Sequence, residues 1–208
     1  LKQEQIDMEI FKYGNIEVDY LKKKDKRLAE AIDRIGMIER EITPNLFTAL
    51  ISSVVAQQIS AKAADTVWNR IVERFGEVTP ERLNQISAEE IQQCGLSMRK
   101  AGYIKGITEA VVKGELDLEE LTKLSDDEVS KRLSALNGIG VWTAEMLMIF
   151  SMQRPDIVSW GDLAIRRGMM MLYHHKELPK ERFEKYRRRY SPYGSVASLY
   201  LWAISAGR

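Results

Sequence analysis

The run LNGIGVWTAEMLMIF, Leu136–Phe150, sets two glycines around one isoleucine and then enters an apolar segment. Leu133 and Leu136 close a short helix before it, so NGIG leaves no room for a loop. Glycine admits positive φ and lets another molecule approach the backbone with no Cβ in the way. The first N–H groups of the following helix point outward, where the helix dipole is positive, and that arrangement suits a phosphate. Val141–Phe150 is too apolar for a surface helix, so a buried helix is expected to present its bare N-terminus at the protein's edge. The alternative is an ordinary helix–helix turn with a glycine cap.

Outward from this hairpin the chain reads as helices joined by short turns. TPNLFTALISSVVAQQIS places Leu46, Phe47, Leu50, Ile51, Val54 and Val55 at helical spacing, with Thr43 as N-cap and Pro44 in the first turn. A second helix starts near Ser60 and stops at Gly76. Ser87 with Glu90, and Ser125 with Glu128, spell capping boxes. Ser97 caps a helix ended by Gly114, and Pro192 opens the last helix. One strand candidate lies near Phe11 to Val18, and strands do not alternate with helices, so the class is all-α.

The 208 residues suffice for one large domain or two small ones. A single cysteine, Cys94, excludes a disulfide framework and any four-cysteine metal or iron–sulfur site, and it fits a reducing cytosol. No apolar run reaches the roughly 18 residues that span a bilayer, and no signal peptide is read at the start, so a cytoplasmic, nucleoid-associated protein without a membrane partner is expected. The net charge of +1 is unevenly spread. Leu163 to Arg208 holds ten Lys and Arg against three Asp and Glu, a net +7, which leaves −6 for the remainder. A basic C-terminal quarter suggests a face that meets a polyanion, and a solvated helix face such as Arg187 to Arg189 is the alternative.

LNGIGVWTAEMLMIF resembles the hairpin of the helix-hairpin-helix DNA glycosylases, which commonly reads L-P-G-I-G. Here Asn137 stands where Pro is usual, and Asn tolerates turn geometry. LISSVVAQQISAKAADTVWNRIVERFG resembles the family's Gln-containing helix pair, LSMRKAGYIKGITEAV its K-A-x-Y-I segment, and DIVSWGDLAIRRGM its catalytic segment. The pieces come in family order across roughly Pro44 to Met170, and the alkylation-repair type, DNA-3-methyladenine glycosylase II, is the nearest in pattern. The resemblance implies a two-domain helical fold with the active site in an interdomain cleft. The middle domain would be residues 44–154, and the second would be built from residues 1–43 plus 155–208. On this reading the extra N-terminal sheet domain of some relatives is not expected here, beyond a remnant before Asp19.

Asp162 precedes LAIRRGMMML and reads as an N-cap worth about 1 kcal/mol. The resemblance makes it the catalytic carboxylate, facing the sugar of a flipped nucleotide and stabilising the oxocarbenium-like charge that builds as the N-glycosidic bond breaks. A purine alkylated at N3 or N7 is already cationic and leaves without strong acid help, so a second carboxylate is not required. The implied substrates are 3-methyladenine and, in addition, 7-methylguanine. An electron-rich aromatic pocket suits such a base, and Trp142, Trp160, Tyr193 and Tyr103 are its candidates, with core packing the alternative for each. Strand-cutting relatives carry a lysine where Trp142 stands, and tryptophan cannot form the Schiff base, so the expected enzyme is monofunctional and has no lyase activity.

The same resemblance implies base flipping in double-stranded DNA, with Gln58 entering the gap and Gln57 bracing the turn. The amides of Gly138, Gly140 and Trp142, with Thr143 beside them, would hold a phosphate, and Arg166 and Arg167 would add positive charge. In relatives, backbone carbonyls matching Ser134, Leu136 and Ile139 hold a monovalent Na+ or K+ against that phosphate. No cofactor is expected for catalysis, and a monomer is the default. Two rivals remain at this point: a non-catalytic helix-hairpin-helix DNA-binding module, and a mismatch or oxidised-base glycosylase of the same fold.

Overall fold

A computed structural model describes residues 9–208. The described residues form thirteen α-helices and no strand. In chain order they are α1 (Asn15–Lys24), α2 (Lys26–Ile35), α3 (Leu46–Ala56), α4 (Ala61–Phe75), α5 (Pro80–Asn84), α6 (Ala88–Gln92) and α7 (Met98–Val112). Then follow α8 (Leu118–Leu121), α9 (Asp126–Ser134), α10 (Val141–Phe150), α11 (Leu163–Tyr173), α12 (Lys180–Tyr190) and α13 (Gly194–Ser205). None of them is long and apolar enough to cross a membrane.

The chain packs as two compact units. One comprises the described residues up to Ile42 together with Met148–Arg208; the other is Thr43–Leu147. The division therefore falls inside α10, a few residues before the expected boundary at Arg154.

In the Thr43–Leu147 unit, α7 is the central element, packed against α3, α5 and α6. Its buried Ala101, Ile104 and Ile107 meet a core that includes Leu50, Ile51, Val54, Leu83 and Ile91. In the unit built from both ends of the chain, α13 is the axis. It packs against α11, α2, α1 and α12, and every one of its residues except Trp202 is buried. Its approach to α11 is so close that a Cβ on Gly168 would lie 2.1 Å from the carbonyl oxygen of Leu201. Only glycine fits there.

Most helix starts follow local chemistry. The side chains of Ser60, Ser87, Ser97 and Ser125 each accept the N–H three residues on, and both capping boxes form. Three expectations need correction. The strand near Phe11 to Val18 is not formed: Gly14 donates its N–H to the Glu17 carboxylate at 2.8 Å, starting α1 at Asn15, and only one isolated bridge, Ile10 to Glu41, stands before it. On α1, Ile16 points outward and is 74% exposed, while Val18 and Leu21 are buried. The N-cap of α3 is Asn45, whose carbonyl oxygen accepts from the Thr48 N–H at 2.9 Å, rather than Thr43. Finally, α13 begins at Gly194, so Pro192 lies before the helix, after a cis peptide bond.

Candidate active site

The hairpin joins α9 to α10 in six residues. Leu136 donates its N–H to Leu133 O, and Ile139 donates to Leu136 O, each at 3.1 Å. The two glycines differ in what they do. Gly138 has φ +89°, and a Cβ there would lie 2.4 Å from the Tyr103 ring, so the fold itself demands glycine. At Gly140 nothing lies within 4 Å of a would-be Cβ, and its carbonyl accepts the Ala144 N–H at 2.9 Å, opening α10. The helix starts at the surface, with Val141 56% and Trp142 48% exposed, and becomes buried by Ala144 and Leu147. First-turn amides of a helix have no acceptor four residues back, so this end offers donors to an anion. Thr143 sits in that first turn with little exposure.

Next to the hairpin lies the turn between α3 and α4. Gln57 donates its side-chain N–H to Gly138 O at 2.7 Å. Gln58 takes positive φ, +58°, and Gln58, Ile59 and Ser60 are exposed. The exposed apolar Ile59 beside Gln58 was not singled out in the sequence. Tyr103 packs beneath Gly138, which makes it a support of the hairpin. Ser134 ends α9, and Leu136 and Ile139 lie in the six-residue connection after it.

Asp162 belongs to the other unit. It caps α11, its Oδ1 accepting the Ile165 N–H at 2.8 Å. The residue is 7% exposed, yet the flanking Gly161 and Leu163 face solvent, Leu163 at 73%. The carboxylate therefore stands at the rim of the core, in one orientation. The segment leading to it is stitched to α13. Ile157 donates its N–H to Ser195 Oγ at 3.0 Å, Ser198 Oγ donates to Ile157 O at 2.9 Å, and Ser195 N–H donates to Pro155 O at 2.9 Å.

The remaining site residues of this unit are fixed by packing. Trp160 meets Phe183 edge-on at 5.1 Å and carries the Arg166 guanidinium 4.7 Å from its ring centre. Arg166 Nε is buried with no acceptor. Arg167 donates from Nε to Ser205 Oγ at 2.8 Å and from its terminal nitrogen to Ser205 O. Both arginines are thus tied into their own unit. Tyr193 lies edge-on to Tyr20 at 5.1 Å. Its segment is held by Tyr20 OH donating to Ser191 O at 2.7 Å, and by Asp156, which accepts from Ser191 Oγ at 2.5 Å and from Gly194 N–H at 3.0 Å. Sequence reading passed over Tyr20, Asp156, Ser195 and Ser198; nothing local marks residues whose partners are so distant.

Part of the basic tail is internally neutralised. Arg187 pairs with Glu184 at 3.0 Å, and Arg189 binds the buried Asp25. Burial pushes the Asp25 carboxyl up, but hydrogen bonds from Tyr173 OH, Leu28 N–H and Arg189 prevail and hold it below its ordinary range. No group of three or more His, Cys, Asp or Glu side chains able to hold a metal exists among the described residues.

The family described as HhH-GPD superfamily base excision DNA repair protein matches residues 51–192. The chain is 36% identical over 164 residues to DNA-3-methyladenine glycosylase 1 of Schizosaccharomyces pombe, covering 76% of this chain and 72% of that one. The crystal structure of a DNA-3-methyladenine glycosidase from Bacillus halodurans superposes with a TM-score of 0.86 at 38% identity, over 95% of this chain and 93% of that one. The S. pombe 3-methyladenine DNA glycosylase Mag1, in complex with abasic DNA, superposes with a TM-score of 0.76 at 31% identity, over 90% and 95%.

Proposed function

Because the chain belongs to the HhH-GPD superfamily of base excision DNA repair proteins, we propose that it is a monofunctional DNA glycosylase that removes alkylated purines, 3-methyladenine first and 7-methylguanine in addition, from double-stranded DNA. The observation that carries the reading is the Asp162 carboxylate, oriented by the Ile165 N–H at the start of α11 and nearly withdrawn from water. A fixed negative charge of this kind stabilises the positive sugar that forms as the N-glycosidic bond lengthens, and it orients the water that adds to the sugar carbon. The water passes a proton to the Asp162 carboxylate as it adds, the electrons of the broken bond go to the base, and the alkylated purine departs neutral because it was cationic when bound. No acid is needed on the leaving side.

The other residues take supporting roles. Trp142, Trp160 and Tyr193 offer aromatic faces to a cationic base, and Tyr103 acts through the hairpin it supports. Amides of Gly138, Gly140, Trp142 and Thr143 grip a phosphate, while Arg166 and Arg167 add positive potential. Gln58 fills the gap left by the extruded nucleotide. The carbonyls of Ser134, Leu136 and Ile139 are hard oxygen donors of the kind that replace the hydration shell of Na+ or K+. Leu136 O spends one lone pair on the Ile139 N–H and keeps the other, which fits such an ion. Bound there, the ion would supply charge toward the phosphate. The protein acts as a monomer.

The test is release of methylated bases from alkylated duplex DNA, followed by alkali cleavage of the abasic sites. Release of 3-methyladenine that is lost in Asp162→Asn supports the reading. DNA binding with no base released would make the chain a binding module, and excision confined to mismatched or oxidised bases would move it to another branch of the fold.

A further inference from the structure

Lys100 lies one helical turn before Tyr103 on α7, so the two side chains share a face. Tyr103 supports the hairpin at Gly138. Lys100 supports the other exposed loop: its ammonium donates to Val55 O at 2.9 Å and to Gln57 O at 2.5 Å. These carbonyls end α3, where no intrahelical donor reaches them and a cation is favoured. Burial, and then the repulsion of Arg99, lowers the Lys100 pKa from its ordinary value, so this lysine is held against a desolvation cost that a solvated surface lysine does not meet. Directly after the Gln57 carbonyl the chain takes positive φ at Gln58, a conformation uncommon for any residue but glycine. Gln57 completes the circuit by donating from its side chain to Gly138 O. Lys100, Gln57, Gly138 and Tyr103 form a closed ring of contacts that binds two exposed loops to one helix face.

We propose that Lys100 is a positioning residue, which locks the Gln58 turn to the hairpin so that the side chain entering the DNA stack and the amides holding the phosphate move as one rigid piece. This rests on the base-flipping reading above and adds the residue that enforces it.

The test places 2-aminopurine opposite an abasic site in a duplex and reads its fluorescence at saturating protein, alongside single-turnover excision from methylated duplex. Lys100→Met is expected to lose at least half of the wild-type fluorescence change and about tenfold in excision rate, while the salt dependence of binding keeps its slope because the phosphate contacts remain. Gln58→Ala should lose a similar share, and the double variant no more than the worse single one, because both changes disable one device. Full additivity, or an unchanged fluorescence response in Lys100→Met, overturns the proposal. Should Lys100→Met not fold, Gln57→Leu, which cuts only the link to Gly138, must show the same loss in both readouts. A wild-type protein that changes the fluorescence but releases no base would defeat the glycosylase reading alone; one with no fluorescence response defeats the positioning role.

Discussion

The side-chain amide of Gln57 and the carbonyl of Gly138, 81 residues apart, are joined by a 2.7 Å hydrogen bond. It holds the turn after α3 against the hairpin before α10. Replacing Gln57 by Ala leaves a part-buried acceptor unpaired, so a loss of about 1–2 kcal/mol is expected in urea unfolding, together with weaker binding to abasic duplex.

The two hairpin glycines should separate folding from binding. In Gly138→Ala the new methyl meets the Tyr103 ring at a positive φ, at a cost of about 2–4 kcal/mol. Gly140→Ala meets nothing in the protein and should cost about 1 kcal/mol or less, yet weaken DNA binding, because the methyl occupies the approach to the first-turn amides. Equal effects of the two on unfolding, measured side by side, would contradict this division.

Asp162 offers a similar separation. Asn caps a helix about as well as Asp, so Asp162→Asn should unfold within about 0.5 kcal/mol of wild type while excision falls by a factor on the order of 10²–10³. Asp162→Ala should lose both activity and about 1 kcal/mol of stability.

The Asp25 carboxyl, held below its ordinary pKa, should make stability fall in acid. A depressed folded pKa means that the charged form contributes fully above the unfolded value of about 4 and is lost as pH drops through the folded one. Asp25→Asn should flatten that acid limb in urea titrations and cost about 2 kcal/mol at neutral pH, since Tyr173 and Arg189 lose a buried charged acceptor.

With Trp142 where a Schiff-base lysine would stand, borohydride should trap no covalent complex between the protein and abasic or methylated DNA. A trapped species would identify an unsuspected amine nucleophile.

What the sequence made legible was local. Ser60, Ser87, Ser97, Ser125 and Asp162 each bond to an N–H three residues on, so the cap and its consequence sit in one short window. The supports of the site do not. Tyr20 reaches Ser191 across 171 residues, and Tyr173 reaches Asp25 across 148; no periodicity announces such pairs. Misreadings arose where two local signals competed. Thr43 and Asn45 both suit an N-cap, and the structure uses the one after Pro44, whose carbonyl oxygen reaches Thr48. Around Phe11 to Val18 a strand was the expectation, while Gly14 and Glu17 set a helix start that prevailed.

The stitching of residues 154–157 to Ser195 and Ser198, with Gly168 pressed on Leu201, carries a consequence for synthesis. The ribosome makes Asp162 well before the helix that moors it. Until α13 has emerged and docked, the segment that leads to Asp162 lacks the partners that hold it, so this part of the chain takes its place only after synthesis is nearly complete.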